Sequence, residues 1–207
     1  MMFLKTGVHA AVIDTALVIL DLEADNYFCL PSGGETVVRR SDGGAEVLGG
    51  STRDTLQAAG LLQAQAPPLV RALPAKPART VIHDPAAVSW RDIYAGLAAA
   101  LAVRKIPAGS GITAYFSEPP LRPAAEPDVQ RAATAFWRLQ PWLPIEGECL
   151  VRSALLVQAL HRQGLRADWV FGVRLFPFMA HCWVQLGDTC LNDDVERLSA
   201  YQPLLCR

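Results

Sequence analysis

Apolar positions along the chain follow different rhythms in different stretches. Near the N-terminus, "HAAVID" and "ALVILDLE" are runs of aliphatic and β-branched residues, the pattern of strands. "ADN" supplies turn chemistry before "YFCLP", so these segments predict a hairpin and a three-stranded sheet. The glycine-rich "SGGETVVRRSDGGAEVLGG" reads as a connection holding one short helix. "STRDTLQAAGLL" reads as a better helix, with Ser51 or Thr52 as its cap and Gly60 as its end.

Between Pro67 and Pro85 the pattern breaks. Prolines at 67, 68, 74, 77 and 85 argue against any regular element, and a domain seam is expected there. Beyond it the rhythm becomes helical in "SWRDIYAGLAAALAVRK", with Ser89 as cap, and in "PDVQRAATAFWRLQPWL", with Pro127 in the first turn. A third helix is expected over "CLVRSALLVQALHRQG", ended by Gly164. The period then falls to two in "ADWVFGVRLF", "HCWVQLG" and "TCLND", with "GD" turning between the last two. Helices followed by an antiparallel sheet make an α+β pattern.

Composition narrows the function classes. Hydrophobic residues make up 51% of the 207 residues, enough for a packed core. The net charge of -1 gives no electrostatic footprint for nucleic acid or an anionic membrane. The longest helical apolar run, "IYAGLAAALAV", is too short to span a bilayer, and Asp14 interrupts the N-terminal run, so neither a transmembrane segment nor a signal peptide is expected. Five cysteines with no CxxC pair point to a reducing cytoplasm rather than a disulfide framework. No GxxxxGK[ST] phosphate loop exists, so no cofactor is bound through a recognisable motif.

The cysteines are also the candidate nucleophiles. Cys149 opens the third helix of the second half, after "EGE", where unpaired N–H groups and the positive end of the helix dipole favour thiolate. Cys29, Cys182 and Cys190 read as strand residues, and Cys206 lies at the chain end. His181 opens a strand and shares a face with Trp183. Cys182, its neighbour, is expected to face away and to be a poor partner for it. The orienting acid is Asp188, Asp193 or Asp194. Asp188 sits in the "GD" turn, Asp193 ends the strand that pairs with the His181 strand, and one residue of register would exchange it for Asp194. Zinc bound by His181, Cys182, Cys190 and Cys206 is the rival chemistry, but the spacings match no usual zinc pattern.

The ordered pieces are Cys149 with Leu150, then "GVR" with a following Pro-Phe, then "HCWV", then "ND". In that order they resemble the lasso-peptide B proteins, leader peptidases with a transglutaminase-like or papain-like cysteine-protease fold; the likeness in character is to the microcin-type maturation proteases. His181 follows Cys149 by 32 residues and Asp193 follows His181 by 12, intervals similar to the family's. The resemblance implies a catalytic Cys149, His181 and Asp193 in a protease domain over residues 86–207. It implies a small winged-helix-like leader-recognition domain over residues 1–80. There the "YFCLP" strand and the following helix would form the peptide groove, with Tyr27, Phe28, Cys29, Leu30 and Leu56 as contacts. It further implies a precursor peptide as substrate, a preference for Thr at the penultimate leader position, a separate ATP-using, asparagine-synthetase-like lasso cyclase as partner, and cleavage that can depend on ATP. Residues 1–65 carry four bases against eight acids, the wrong sign for a winged helix that binds DNA. Acyl transfer by the same triad and a non-catalytic peptide-binding module are the alternatives.

Overall fold

The computed structural model describes residues 2–39, 45–68, 71–117, 125–145 and 147–207. The architecture is α+β. The chain forms two compact units: Met1–Leu73 with Gly172–Ala180 and Gln202–Cys206, and Pro74–Phe171 with His181–Tyr201 and Arg207.

In the first unit, β1 (Met2–Leu4), β2 (Val8–Ile13), β3 (Ala16–Asp21) and β4 (Asn26–Leu30) come first. The expected three-stranded sheet is β2-β3-β4, antiparallel throughout. Asp14 and Thr15 make the tight turn between Ile13 and Ala16, and Asp14 takes a positive φ of 52°, a conformation Asp tolerates. At the β3–β4 turn the Asp21 carboxylate accepts from the Glu23 and Ala24 N–H groups. Among its described residues the glycine-rich stretch holds a 3₁₀ turn, Gly34–Thr36, and then two strands the periodicity did not announce, β5 (Val37–Arg39) and β6 (Ala45–Val47). Residues 40–44 of that stretch lie outside the described residues. With β1 and β7 (Leu62–Gln63) these strands form a second sheet, ordered β5-β6-β1-β7. Each is only two or three residues long, too short to show a period.

The helix α1 spans Gly50–Ala58. Its N-cap is Gly49, with no side-chain cap bond, so Ser51 and Thr52 lie inside the helix rather than capping it. Its other end is as expected. Gly60, at φ 69°, sends its N–H to the Gln57 carbonyl, and Leu61 sends its own to Leu56, a Schellman closure. Among the described residues α1 is the first unit's one α-helix, so the unit carries more strand and less helix than three strands followed by helices. Leu56 packs in its core with Leu4, Val8, Leu17, Ile19, Val47 and Leu61. At 2% exposure it is not on a surface a peptide could touch, which corrects its expected role. Leu56→Ala should therefore cost about 2–5 kcal/mol of stability, read by urea unfolding.

The second unit begins inside the proline-rich seam. There β8 (Arg79–Thr80) pairs in parallel with a later strand, a regular element where none was expected. α2 (Trp90–Arg104) starts at a capping box in which Ser89 and Asp92 satisfy each other's backbone N–H groups. The buried Asp92 carboxylate also holds Arg131 in a two-point ion pair. The inner face of α2 is made of Ala95, Gly96, Ala99 and Ala100, small enough for close packing on its helical neighbours. Its outer face exposes Trp90, Ile93, Tyr94, Leu97 and Leu101.

α3 (Glu126–Leu139) has Pro127 in its first turn, and α4 (Cys149–Arg162) ends at Gly164, as the sequence indicates. Then come β9 (Asp168–Arg174), β10 (Met179–Leu186), β11 (Thr189–Cys190), α5 (Val195–Leu198) and β12 (Gln202–Cys206). Within the second unit β10, β11 and β8 are neighbours in that order. Gly187 and Asp188 turn β10 into β11, with Leu186 opposite Thr189. α5 and β12 were not anticipated. Among the described residues no helix is long and apolar enough to cross a membrane.

Candidate active site

The chain approaches α4 through Gly147. A Cβ there would come within 2.5 Å of the Val151 side chain, so a larger residue would push the helix start away. Glu148 is the N-cap and makes no side-chain cap bond, so no side chain from the N-cap covers the first-turn N–H groups. Cys149 is the first helical residue and is half-buried.

His181 lies on β10, 7% exposed. Its ring stacks toward Trp183, centroids 6.3 Å apart, and tilts against Tyr201 at 5.2 Å. The Nε2 nitrogen is 2.5 Å from Asp193 Oδ2. That bond leaves Nδ1 as the ring nitrogen for the Cys149 sulfur, whose charge the imidazole favours. Asp193 is itself held. Its Oδ1 accepts from the Asp194 N–H at 2.8 Å, and its carbonyl accepts from Thr80 Oγ1 at 2.7 Å. The short β8 strand of the proline-rich seam thus fixes the acid, a role no periodicity in the seam could disclose.

The neighbouring aspartates do other work. The Asp194 carboxylate caps α5 through the Glu196 N–H and stands 3.8 Å from the exposed His83. Asp188 pairs with Arg79 on the surface.

Cys182 was read as facing away from His181; its nearness is instead to Cys149, whose thiolate its thiol and backbone N–H favour. The reason lies in the strand's edge rather than its faces. Two residues on, the Val184 N–H donates to Asn192 Oδ1 at 2.8 Å, which shows the edge to which both N–H groups point. β11 pairs only with Gln185 and Leu186, so that edge is open at Cys182. α4 is pinned at the same place. Ser153, one turn beyond Cys149, donates to the Cys182 carbonyl at 3.3 Å and accepts from Asn192 Nδ2 at 2.9 Å. Ser153 and Asn192 are the residues sequence reasoning missed. The i, i+4 spacing from Cys149 and the "ND" pair were the available signals.

Electrostatics follow from these contacts. Hydrogen bonds from Cys182 and His181 outweigh burial and bring the Cys149 thiol down from 9.0 to about 4. Burial would lower His181, but its bonds to Asp193 and Cys149 raise it above its usual 6.5. Asp193 is held below the ordinary carboxylate value despite burial, chiefly by His181. Cys149 therefore keeps its charge as pH falls toward about 4, and His181 keeps its own as pH rises past 6.5. Between those limits the pair is thiolate–imidazolium. Buried Cys190 is pushed up to about 11 and is no nucleophile.

The depressed Cys149 thiol gives a direct test. At pH 5 an ordinary thiol is about 10⁴-fold short of thiolate, while the weaker basicity of Cys149 costs its thiolate about 10²-fold in intrinsic nucleophilicity. Iodoacetamide should thus label Cys149 about 100-fold faster than an exposed model thiol at pH 5, followed by peptide mass mapping. Equal rates would contradict the ion pair.

The expected peptide contacts fall on β4, which pairs only with β3 among the described residues. Phe28 is 38% exposed, Cys29 is exposed, and Tyr27 and Leu30 are half-buried. The Tyr27 ring touches Phe178 of the same unit, centroids 5.5 Å apart. Among the described residues no three His, Cys, Asp or Glu side chains group as a metal site would require.

This chain brings together a cysteine at a helix start and a strand histidine bonded to an aspartate. Residues 93–206, more than half of its length, match the family model described as the transglutaminase-like superfamily, and the chain belongs to that superfamily. Over 48 residues it is 38% identical to the microcin J25-processing protein McjB of Escherichia coli, a stretch that covers 23% of each chain. No solved structure matches it.

Proposed function

We propose that the protein is a leader peptidase in lasso-peptide biosynthesis. It binds a precursor's leader and hydrolyses the leader–core junction. The observation that carries this reading is the convergence of Cys149, His181 and Asp193, with the sulfur at a helix start and the carboxylate on the far ring nitrogen. The Cys149 thiolate attacks the last leader carbonyl. The His181 imidazolium gives its proton to the leaving core amine as the C–N bond breaks, leaving a leader thioester. Water then attacks, His181 takes its proton, and the leader departs as a carboxylate. Asp193 holds the ring in one orientation and steadies its charge. The Cys149 N–H at the helix start is a donor for the tetrahedral oxyanion.

Recognition is assigned to the first unit, as a winged-helix-like domain over residues 1–80, with the protease domain over residues 86–207. The outer strand β4 offers an edge to which an extended leader can add, with Tyr27, Phe28, Cys29 and Leu30 supplying alternate contacts. The released core passes to a separate ATP-using lasso cyclase, to which nucleotide handling is attributed. A cytoplasmic location follows from that partnership.

The test is incubation of the full chain with a precursor peptide, read by mass spectrometry. Separate leader and core support the reading. A cross-linked peptide would indicate acyl transfer, and an unchanged precursor a binding module; either would overturn it.

A further inference from the structure

We propose that Cys149 and Cys182 form a two-thiol site that hydrogen peroxide oxidises to a disulfide, turning the site off reversibly. Three observations on separate groups place the thiols together. The Cys149 and Cys182 thiols act on each other's protonation, as only neighbours do. Ser153, one turn along α4, ties that helix to the Cys182 carbonyl. Asn192 bridges Ser153 to the Val184 N–H, closing the connection between helix and strand. The two are unequal partners. Cys149 is half-buried and open to an oxidant, whereas Cys182 is 3% exposed.

The chemistry runs in two balanced steps. The Cys149 thiolate attacks one peroxide oxygen; an S–O bond forms, the O–O bond breaks, and the departing hydroxide takes the His181 proton to become water. Cys149 is now a sulfenic acid and the peroxide has been reduced. The Cys182 sulfur then attacks Cys149; the S–S bond forms, the S–O bond breaks, and the Cys182 proton leaves with the hydroxyl as a second water. Burial and the adjacent Cys149 thiolate raise the Cys182 thiol in the resting site. The first step removes that thiolate, so it frees Cys182 to react. No other thiol is so placed. Cys190 and Cys206 are buried, and Cys190 donates to the Val184 carbonyl.

Disulfide formation does not depend on the peptidase reading; only the loss of cleavage rests on it. The reduced full chain is treated with hydrogen peroxide, blocked with iodoacetamide, digested with trypsin without reductant, and mapped. The expected product is a cross-linked pair of peptides, 139–152 and 175–197, lighter than their sum by two hydrogens. Fragmentation should place the link at Cys182 rather than Cys190, and dithiothreitol should remove it. In Cys182→Ala, or Cys182→Ser if alanine does not fold, Cys149 should instead gain two oxygens that dithiothreitol does not remove. Two oxygens on wild-type Cys149, or a link to Cys29 or Cys190, would overturn the proposal. Cleavage of precursor by the reduced protein is scored separately, so a disulfide without cleavage removes only the peptidase reading.

Discussion

Cys149→Ala is expected to lower precursor cleavage by about 10⁴-fold or more, because the thioester route ends with the sulfur. The loss should fall on kcat rather than on leader affinity. Cys149 lies in the second unit and the proposed leader strand β4 in the first. Binding of a fluorescent leader should therefore be unchanged while product formation disappears. The substitution removes a half-buried sulfur and no capping group, since Glu148 makes no side-chain cap bond. The circular dichroism spectrum and urea midpoint should stay close to wild type. Loss of cleavage with loss of fold would not count as this result, and the leader-binding measurement separates the two.

Asp193→Asn should cost about 10³–10⁴-fold in kcat/KM. An amide carries no charge to steady the imidazolium, and its NH₂ can hold the ring in the wrong tautomer. Without the carboxylate, His181 also loses the largest influence raising it, since burial alone would lower it. The alkaline limit of the thiolate–imidazolium window should therefore move to lower pH, which a pH profile of alkylation reads without any substrate. Asp194→Asn is the control. Its carboxylate caps α5 and faces His83, so it should cost at most about 1 kcal/mol of stability and leave kcat/KM little changed. Equal losses at both positions would contradict the assignment of the orienting acid.

The core of this site was legible in the chain because each part rests on a local rule. "EGEC" before an apolar helical run marks a helix start, and His181 with Trp183 two residues on marks one strand face. Choosing between Asp193 and Asp194 was beyond such rules, since a single residue of register exchanges them. In the structure Asp193 bonds His181, while Asp194 caps α5. Alternation puts Cys182 on the face opposite His181, but it says nothing of the strand's edge, where the Cys182 carbonyl meets Ser153. Thr80 was invisible for another reason. A two-residue strand among prolines has no period, and it exists only through its pairing with β11. Leu56 shows the same limit in the first unit. Helical spacing marks a residue as apolar, but does not say whether the apolar side meets the core or a groove, and here it meets the core.

The central claim is that Cys149 carries the leader as a thioester. Its most direct test is intact-mass spectrometry of the full chain, mixed with a precursor peptide and quenched in acid within the first turnovers, followed by peptide mapping. An adduct of the leader's acyl mass is expected on the peptide carrying Cys149, absent in Cys149→Ala. Leader removal that persists in Cys149→Ala would contradict it.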